Sequence, residues 1–193
     1  MRLFVALWPS EEVLDALGEA VRRGRRHEPR LRWTHSAEWH LTLVFLGDVG
    51  EDQVPALTDA LHRALDGHTA PELTLDGWGT FPDRGADASV FWAGVDGTLD
   101  GVVDDLTSAA RTSGVPVGSR PFVPHLTLAR ARPPRPPGDI LRALGDLPRI
   151  GWRADRVDLV ESRPARADRY RTARTWRLPW GGDSQRASER GTP

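Results

Sequence analysis

Apolar and polar residues along the chain follow two periods, and these periods predict interleaved strands and helices. Apolar residues that run together or alternate indicate strands, whereas apolar residues three or four positions apart indicate amphipathic helices. Strands are predicted at Arg2–Trp8, Leu31–Thr34, Trp39–Leu46, Glu72–Phe81, Ser89–Val95, Phe122–Ala129, Trp152–Val160 and Tyr170–Leu178. A first helix is predicted to begin at Glu11 and to end within Arg22–Pro29. Further helices are predicted at Glu51–Leu65, Leu99–Ala110 and Ile140–Leu144.

Local chemistry supports several of these boundaries. Ser10 stands where the N-cap of the first helix is expected, and Glu11 and Glu12 place acidic side chains in its first turn. The proline-rich segment Arg132–Pro137 predicts an exposed, stiff loop after the sixth strand. From Gly181 onward the chain shows no apolar periodicity, so a disordered tail is predicted there.

The order of the elements predicts an α+β fold. With 193 residues the chain suits one domain, or two small lobes that share a cleft. Several strands follow one another through short loops, which favours antiparallel pairing. The chain also looks duplicated, because two stretches each combine a helix, neighbouring strands and one strand with the sequence His-Leu-Thr-Leu. The sequence does not determine the order of the strands in the sheet.

Composition narrows the possible chemistry. The net charge of −1 does not suit a protein that binds duplex nucleic acid over a whole face, so any such contact should lie in a cleft. All 26 basic residues are arginine, which excludes a lysine nucleophile or Schiff base. The absence of cysteine excludes disulfides and thiolate chemistry.

The chain gives no sign of a membrane partner. No apolar run approaches the roughly 20 residues that a membrane-spanning helix needs. The first residues also lack the basic leader and long apolar segment of a secretory signal. We therefore expect a cytoplasmic protein, and we expect it to be a monomer.

Two copies of His-Leu-Thr-Leu are the most informative feature for chemistry. They begin at His40 and His125, and each falls on a predicted strand. Because side chains alternate between the two faces of a strand, the histidine and threonine of each copy share one face and the leucines fill the other. If the copies face each other across a cleft, two imidazoles and the hydroxyls of Thr42 and Thr127 converge on one point.

This set of side chains suits hydrolysis of a phosphodiester. One imidazole could take a proton from the attacking water and the other could protonate the leaving oxygen, because histidine titrates near neutral pH. The threonine hydroxyls could donate hydrogen bonds to the non-bridging phosphate oxygens. Two histidines without a carboxylate at ligand spacing make a poor zinc site, so neither a metal nor another cofactor is expected.

On these motifs the chain resembles the 2H phosphoesterase superfamily, and within it the RNA 2′,3′-cyclic phosphodiesterases formerly called 2′-5′ RNA ligases. The resemblance covers residues 1–180 in order, and the tail at 181–193 lies outside it. Besides the two motifs, the matching segments are Arg2–Trp8, Trp39–Gly47, Phe91–Val95, Arg120–Arg130 and Val157–Ser162, with Tyr170 and Trp176.

The resemblance implies one bilobal domain over residues 1–180, with two pseudosymmetric lobes that each carry an antiparallel sheet flanked by helices around a central cleft. It also implies hydrolysis of a 2′,3′-cyclic phosphate, on an RNA end or a nucleotide, to a 2′-phosphate. His40 would be the proton donor and His125 the proton acceptor. Thr42 and Thr127 would hold the phosphate. Since the motifs are nearly symmetric, the two histidines could exchange roles with a flipped substrate.

One departure from the family pattern and three alternative functions stay open. The family often has a glycine a few residues before the C-terminal tyrosine, whereas here Pro164–Arg169 precede Tyr170, which leaves the shape of this loop open. The alternatives are a 2′-5′ RNA ligase, a phosphodiesterase for a small cyclic nucleotide, and a nucleotide- or RNA-binding module without turnover. Two titratable groups in matching positions argue against the last, because a pure binder does not need them.

Arg130 is a further candidate for phosphate binding through its guanidinium fork. Strict alternation places it on the face opposite His125, so a bulge or the strand end would have to turn it round. Arg120 is a weaker candidate for the same reason. His35 is expected in a loop. Three aromatic residues could stack on a base but are expected in the core instead, namely Trp39, Phe45 and Phe122. A core position is also predicted for Trp78, Trp92 and Trp152.

Overall fold

A computed structural model describes residues 1–83, 87–163 and 168–181 of the chain. The strands of this part are β1 (Arg2–Leu7), β2 (Arg32–Trp33), β3 (Leu41–Asp48), β4 (Glu72–Phe81), β5 (Ala88–Asp96), β6 (His125–Arg135), β7 (Gly151–Arg153), β8 (Arg156–Ser162) and β9 (Tyr170–Arg177). Its α-helices are α1 (Glu11–His27), α2 (Val54–Leu65), α3 (Asp100–Thr112) and α4 (Gly138–Leu144). A single 3₁₀ turn covers Ser36–Glu38.

The strands form one curled antiparallel sheet whose two halves repeat the same order. One half runs β3–β1–β8–β9 and the other runs β6–β5–β4–β7, with β2 added beside β6. The halves meet where Leu41 of β3 pairs with Leu126 of β6. Both leucines are the second residue of their His-Leu-Thr-Leu copy, so a pseudo-twofold axis passes between the motifs. The predicted α+β fold of two pseudosymmetric lobes is confirmed, and the two half-sheets are continuous through this pair.

Helix α1 begins as its sequence predicts. The Ser10 hydroxyl accepts a hydrogen bond from the Val13 amide at 3.4 Å, which caps one of the free donors of the first turn. Glu11 and Glu12 stand in that turn and three basic residues stand in the last, which matches both ends of the helix dipole. The side chain of Arg23 donates to the carbonyl oxygen of Leu144, at 2.6 and 3.0 Å, and so ties α1 to the end of α4.

The main core lies between the leucine face of the sheet and the helices. Helices α2 and α3 pack against each other and present Leu57, Leu61 and Leu106 to this core, where all three are fully buried. The leucines of both His-Leu-Thr-Leu copies are buried in the same cluster. The opposite face of these strands, which carries the histidines and threonines, is therefore left for the cleft.

The sixth strand is longer than predicted, and this corrects the expected Arg132–Pro137 loop. Strand β6 runs from His125 to Arg135 and pairs with β5 as far as the Ala88–Arg135 pair. Strand β2 borders the other side of β6 at Ala129 and Arg130, before the prolines begin. Proline can extend a strand where its missing N–H faces no partner, so these prolines stand at an open edge rather than in a loop.

The predicted strand Trp152–Val160 is wrong as a single element. Strands β7 and β8 are separate, and they lie in different halves of the molecule, since β7 pairs with β4 and β8 pairs with β1. Between them, the Ala154 amide donates to Pro71 and the Leu178 amide donates to Asp155, at 3.0 and 2.8 Å. The buried residues Trp152 and Ala154 continue the alternation toward Val157, so no turn signal marks the break.

Two sequence predictions concern the chain ends and its surroundings. Residues 182–193, the predicted disordered tail, lie outside the described residues, so the tail and the domain bounds 1–180 stay predictions. Across the described ranges, no helix combines the length and apolar character needed to cross a membrane.

Candidate active site

A cavity of about 550 Å³ opens on the polar face of the sheet where β3 and β6 meet. His40 and Thr42 line it from one half and His125 and Thr127 from the other. Continuing the register of the Leu41–Leu126 pair places each histidine beside the threonine of the other motif. The structure therefore brings together the two imidazoles and two hydroxyls that the repeated motif predicted on one face.

The two imidazoles are held by the same backbone contact. Nδ1 of His40 lies 2.6 Å from the carbonyl oxygen of Glu38, and Nδ1 of His125 lies 2.7 Å from the carbonyl oxygen of Val123. A carbonyl oxygen can only accept, so Nδ1 carries the proton in each ring. This leaves Nε2 of each neutral histidine with a free lone pair, which is the form that can accept or relay a proton.

Three aromatic rings surround His40. Phe4 of β1 stacks on the imidazole at 4.7 Å between ring centroids, and Tyr170 of β9 meets it edge-on at 5.1 Å. Trp8 lies tilted against it at 5.7 Å. The indole N–H of Trp8 donates to the carboxylate of Asp158 at 2.9 Å, and Asp158 is fully buried. Together these contacts fix the plane of the His40 ring from three sides.

His125 has a similar but more open surrounding. Phe81 meets it edge-on at 5.0 Å and Trp92 lies tilted at 5.7 Å. The prediction that Trp92 belongs to the core is therefore wrong, because its half-buried ring borders the site. Gly79 pairs with Trp92 across β4 and β5, and a Cβ at Gly79 would come within 2.0 Å of the indole. The lack of a side chain there makes room for the indole beside His125.

Burial governs the protonation of both histidines in the empty cleft. Burial lowers the pKa of His40 to about 4, and positive charge on His125 and Arg169 adds to this effect, while the hydrogen bond to the Glu38 carbonyl opposes it. Burial also lowers the pKa of His125, helped by Arg130 and opposed by the hydrogen bond to Val123. At neutral pH both rings are therefore neutral until an anion enters the cleft.

Two matching bulges decide which further side chains reach the cavity. In β3 the pairing with β1 passes from Thr42 to Val44, so that Leu43 and Val44 both point into the core. In β6 the pairing with β5 passes from Thr127 to Ala129, so that Leu128 and Ala129 are both buried. Each bulge reverses the alternation of the residues that directly follow it.

The bulge in β6 brings Arg130 to the cleft, which strict alternation would have prevented. Arg130 is exposed and lines the cavity with His125 and Thr127. Arg120 is exposed but is not among the described residues that line the cavity. Between the two sequence candidates for a phosphate-binding arginine, the structure therefore places only Arg130 at the site.

The bulge in β3 has the same effect on Phe45, the counterpart of Arg130 in the other half. Phe45 was expected in the core, but it is 49% exposed and lines the cavity, so that expectation is wrong. The Arg2 guanidinium lies over its ring at 5.1 Å. Trp39 is buried as expected, with 2% of its surface exposed.

Thr34 also lies at the site, although no pattern in the sequence pointed to it. Its hydroxyl lies 2.9 and 2.8 Å from the carbonyl oxygens of Thr127 and Leu128, at the bulge of β6. The same hydroxyl accepts a hydrogen bond from the indole N–H of Trp39 at 2.8 Å. Because Trp39 precedes His40 directly, this contact links the first motif to the backbone of the second.

Further residues line the cavity that sequence reasoning did not select as site residues. His35, expected only in a loop, caps the 3₁₀ turn and also borders the cleft. The Arg169 guanidinium lies 5.5 Å from the Tyr170 ring centroid, and burial raises the pKa of the Tyr170 hydroxyl. In the described part of the chain, no group of three or more histidine, aspartate or glutamate side chains is arranged to hold a metal ion.

Comparison with known proteins matches this fold and these motifs. A family model described as the 2′-5′ RNA ligase superfamily matches residues 9–166. An RNA 2′,3′-cyclic phosphodiesterase of Thermus thermophilus is 35% identical over 146 residues, which cover 70% of this chain and 71% of the relative. The crystal structure of E. coli LigT complexed with 3′-AMP superposes with a TM-score of 0.69 at 27% identity, covering 92% of this chain and 97% of LigT.

A third relative differs in length. An RNA 2′,3′-cyclic phosphodiesterase of Geobacillus stearothermophilus is 34% identical over 130 residues, which cover 66% of this chain but 41% of the relative. The chain therefore spans less than half of that protein. The family model nevertheless covers most of the chain, and the curled sheet with its paired histidine motifs agrees with it. This protein belongs to the 2′-5′ RNA ligase superfamily.

Proposed function

We propose that this protein hydrolyses the 2′,3′-cyclic phosphate of an RNA end or a nucleotide to a 2′-phosphate. The observation that carries this proposal is the placement of His40 and His125 on opposite sides of one cavity, each with Nδ1 bound to a backbone carbonyl. Relatives in the same family are RNA 2′,3′-cyclic phosphodiesterases, which supports the choice of a cyclic phosphodiester as substrate.

The residues divide the reaction as follows. Nε2 of His125 takes a proton from a water molecule, whose oxygen attacks phosphorus. As the bond between phosphorus and O3′ breaks, Nε2 of His40 donates a proton to O3′, and the phosphate stays on O2′. Thr42 and Thr127 donate hydrogen bonds to the non-bridging oxygens, and Arg130 offsets their charge.

The charge of the substrate explains how the acid becomes protonated. In the empty cleft the pKa of His40 is about 4, so this ring is neutral at pH 7. A bound phosphodiester anion raises the pKa of a nearby imidazole, because the opposite charge favours the imidazolium. The proposed mechanism requires that His40 takes up a proton when the substrate binds, while His125 stays neutral and acts as the base.

Phe45 supports binding of the nucleoside part of the substrate. The ring is exposed at the cavity, and base–aromatic stacking is sequence-tolerant because every base has a π-face. Phe45 and Arg130 occupy equivalent positions in the two halves, so one half presents an aromatic ring where the other presents a guanidinium. This asymmetry favours one orientation of a nucleotide over its flipped alternative.

The decisive experiment maps the product of a cyclic-phosphate oligonucleotide in the presence of EDTA. We expect a 2′-phosphate at an unchanged rate after chelation. His40→Ala and His125→Ala should each lose about 10²- to 10⁴-fold in kcat. A strict metal requirement, or a near-normal rate in either variant, would contradict the two-histidine mechanism. Formation of a 2′-5′ linkage with an added 5′-hydroxyl oligonucleotide would identify the ligase alternative.

A second substrate separates the two histidine roles. A p-nitrophenyl phosphodiester has a leaving group that departs without protonation. Removal of the acid should therefore reduce kcat little on this substrate, whereas removal of the base should reduce kcat as much as on the natural substrate. We expect His40→Ala to recover most of its activity on this substrate and His125→Ala to stay inactive. The opposite pattern would reverse the assignment of donor and acceptor.

A further inference from the structure

Two arginines stand side by side at one end of the cavity. Arg32 of β2 is the direct pairing partner of Arg130 of β6, so both side chains emerge on the same face. Both are exposed, and both line the cavity. Residues directly opposite each other on antiparallel strands lie close together, and like charges in such a pair are destabilising.

Among the described residues, no acidic side chain forms an ion pair with either arginine. The ion pairs of the described residues involve other arginines, and neither Arg32 nor Arg130 takes part in them. Glu38 is the only carboxylate among the described residues that line the cavity, against the guanidinium groups of Arg2, Arg32, Arg130 and Arg169. Since the whole chain has a net charge of −1, the positive charge is a local property of the cleft.

The arginine pair lies further along the strand that carries the second His-Leu-Thr-Leu motif. Strand β2 contacts β6 at Ala129 and Arg130, which lie beyond Thr127 in the direction away from His125. Arg32 and Arg130 lie side by side at this level of the sheet, three residues beyond Thr127. A second phosphate beside Arg32 would therefore lie outside the acid–base pair, where it would be bound but not cleaved.

We propose that Arg32 forms a second phosphate subsite, which binds the 5′-phosphate group of the nucleotide whose cyclic phosphate reacts. This inference rests on the proposed function and specifies its substrate: a cyclic phosphate whose nucleotide carries a further phosphate on O5′, as in an RNA chain. A nucleoside 2′,3′-cyclic phosphate with a free 5′-hydroxyl leaves the subsite empty. A guanidinium fork suits a phosphate better than an ammonium group does.

The test compares two substrates that differ by one phosphate. These are adenosine 2′,3′-cyclic phosphate and its 5′-phosphorylated form. A hydrogen-bonded charge pair contributes about 1.5–3 kcal/mol, so kcat/KM of the native protein should favour the 5′-phosphorylated substrate by roughly 10- to 100-fold. Arg32→Gln should bring this ratio close to one. Arg32→Lys should retain part of it, because the charge stays while the fork is lost.

Two controls distinguish recognition of the 5′-phosphate by Arg32 from a general effect of positive charge on the protein surface. Arg25→Gln removes an exposed arginine at the end of α1 and should leave the ratio unchanged. A dinucleotide ending in a cyclic phosphate should behave like the 5′-phosphorylated nucleotide, and a difference between the two would show that only a terminal 5′-phosphate is recognised. The preference for the 5′-phosphorylated substrate should also decrease as the salt concentration rises. Log affinity falls linearly with log salt concentration, and each phosphate contact on a single strand makes this slope steeper by about 0.7.

A binding measurement tests the subsite independently of catalytic turnover. Calorimetry with adenosine 3′,5′-bisphosphate and adenosine 3′-monophosphate should show tighter binding of the bisphosphate, and Arg32→Gln should remove the difference. Turnover of both cyclic substrates with equal kcat/KM, together with equal binding of the two nucleotides, would overturn the subsite and leave the proposed function intact. Absence of turnover with a preserved difference in binding would overturn the proposed function and leave the phosphate subsite.

Discussion

The two histidines show how equivalent residues acquire different properties from their neighbours. Each donates its Nδ1 proton to a carbonyl two positions earlier in the chain, so the local geometry is the same. The rings around them differ, because Phe4 stacks on His40 and no such partner covers His125 within the described residues. Deeper burial lowers the pKa of His40 further from its ordinary value, to about 4. Burial therefore breaks the symmetry that the sequence repeat suggests.

The pH dependence of kcat/KM should reveal these lowered values. In the proposed mechanism the active form has one protonated and one neutral histidine, and kcat/KM reports the free protein. Since both pKa values lie below 6.5, the bell-shaped profile should be centred below pH 6.5. The profile of kcat should lie at higher pH, because the bound anion raises the pKa of the acid. An alkaline limb of kcat/KM at pH 7 or above would contradict this account.

Stability should depend on pH through His40. Its pKa is about 4 in the folded protein and near 6.5 when unfolded, so the unfolded chain binds more protons between these values. The free energy of unfolding should therefore fall as pH drops from 6.5 to 4. In His40→Gln the decrease in the free energy of unfolding that arises from His40 should disappear. Urea denaturation at pH 7 and pH 4.5 measures this difference. An identical fall in the variant would show that His40 is not buried in its neutral form.

At the scale of the elements, the bulges in β3 and β6 determine the lining of the cleft. Each bulge lets one extra residue point into the core and so turns the next polar or aromatic side chain toward the site. The first half gains Phe45 and the second gains Arg130. Thr34 binds the backbone at the second bulge through its hydroxyl and through its amide, which donates to the Leu128 carbonyl oxygen at 2.9 Å.

Thr34→Val should test whether this contact positions the site. The variant keeps the shape of the side chain but removes the acceptor of the Trp39 N–H and the hydroxyl donor beside the Thr127 and Leu128 carbonyl oxygens, while the Thr34 amide still donates to Leu128. The buried N–H without an acceptor should cost about 1–3 kcal/mol of stability. We expect kcat to fall by roughly 10- to 100-fold with a smaller change in KM, because the catalytic groups shift relative to each other.

Two matched variants complete this experiment. Thr34→Ser keeps the hydroxyl and should restore most of the rate. Thr58→Val removes a hydroxyl bound to the Val54 carbonyl oxygen on α2, away from the cleft, and should leave kcat unchanged. If Thr34→Val lost stability but kept the native kcat, Thr34 would be a structural residue alone.

At the scale of the whole molecule, the two halves meet at the catalytic motifs. The pairing of β3 with β6 consists of Leu41 and Leu126 among the described residues, whereas the strands within each half share longer ladders. The relative position of the two halves therefore depends on side-chain packing beneath the cleft as well as on the ladder. Both leucines are fully buried there.

Leu126→Ala should affect stability and activity together. Truncation of a buried leucine costs about 2–5 kcal/mol, which is measurable by denaturant unfolding. In this variant the activity of the folded fraction should also fall, since the cavity left behind loosens the junction between the histidines. Leu61→Ala in α2 removes an equally buried leucine from a helix and should cost similar stability without loss of activity. Equal activity in both variants would show that the junction does not set the geometry of the site.

Much of the fold was predictable because its signals are local. The apolar periods located most of the strands and helices, and alternation placed each histidine on the same face as its threonine. Helix α1 began at Ser10 because capping depends on a few adjacent residues. The break between β7 and β8 was missed, since buried residues continue on both sides of it and only pairing with distant strands distinguishes the two segments.

The sequence by itself determined the repeated His-Leu-Thr-Leu strands, their leucine and polar faces, and the absence of lysine and cysteine chemistry. Tertiary structure alone decided that Arg130 and Phe45 face the cleft, that Thr34 binds the second motif, and that His40 is the more deeply buried imidazole. The physical reason is that bulges, ring contacts and burial arise from strands far apart in the chain. Pairs such as Phe91–Ala129 and Val5–Val44 set these features, and no local pattern encodes them.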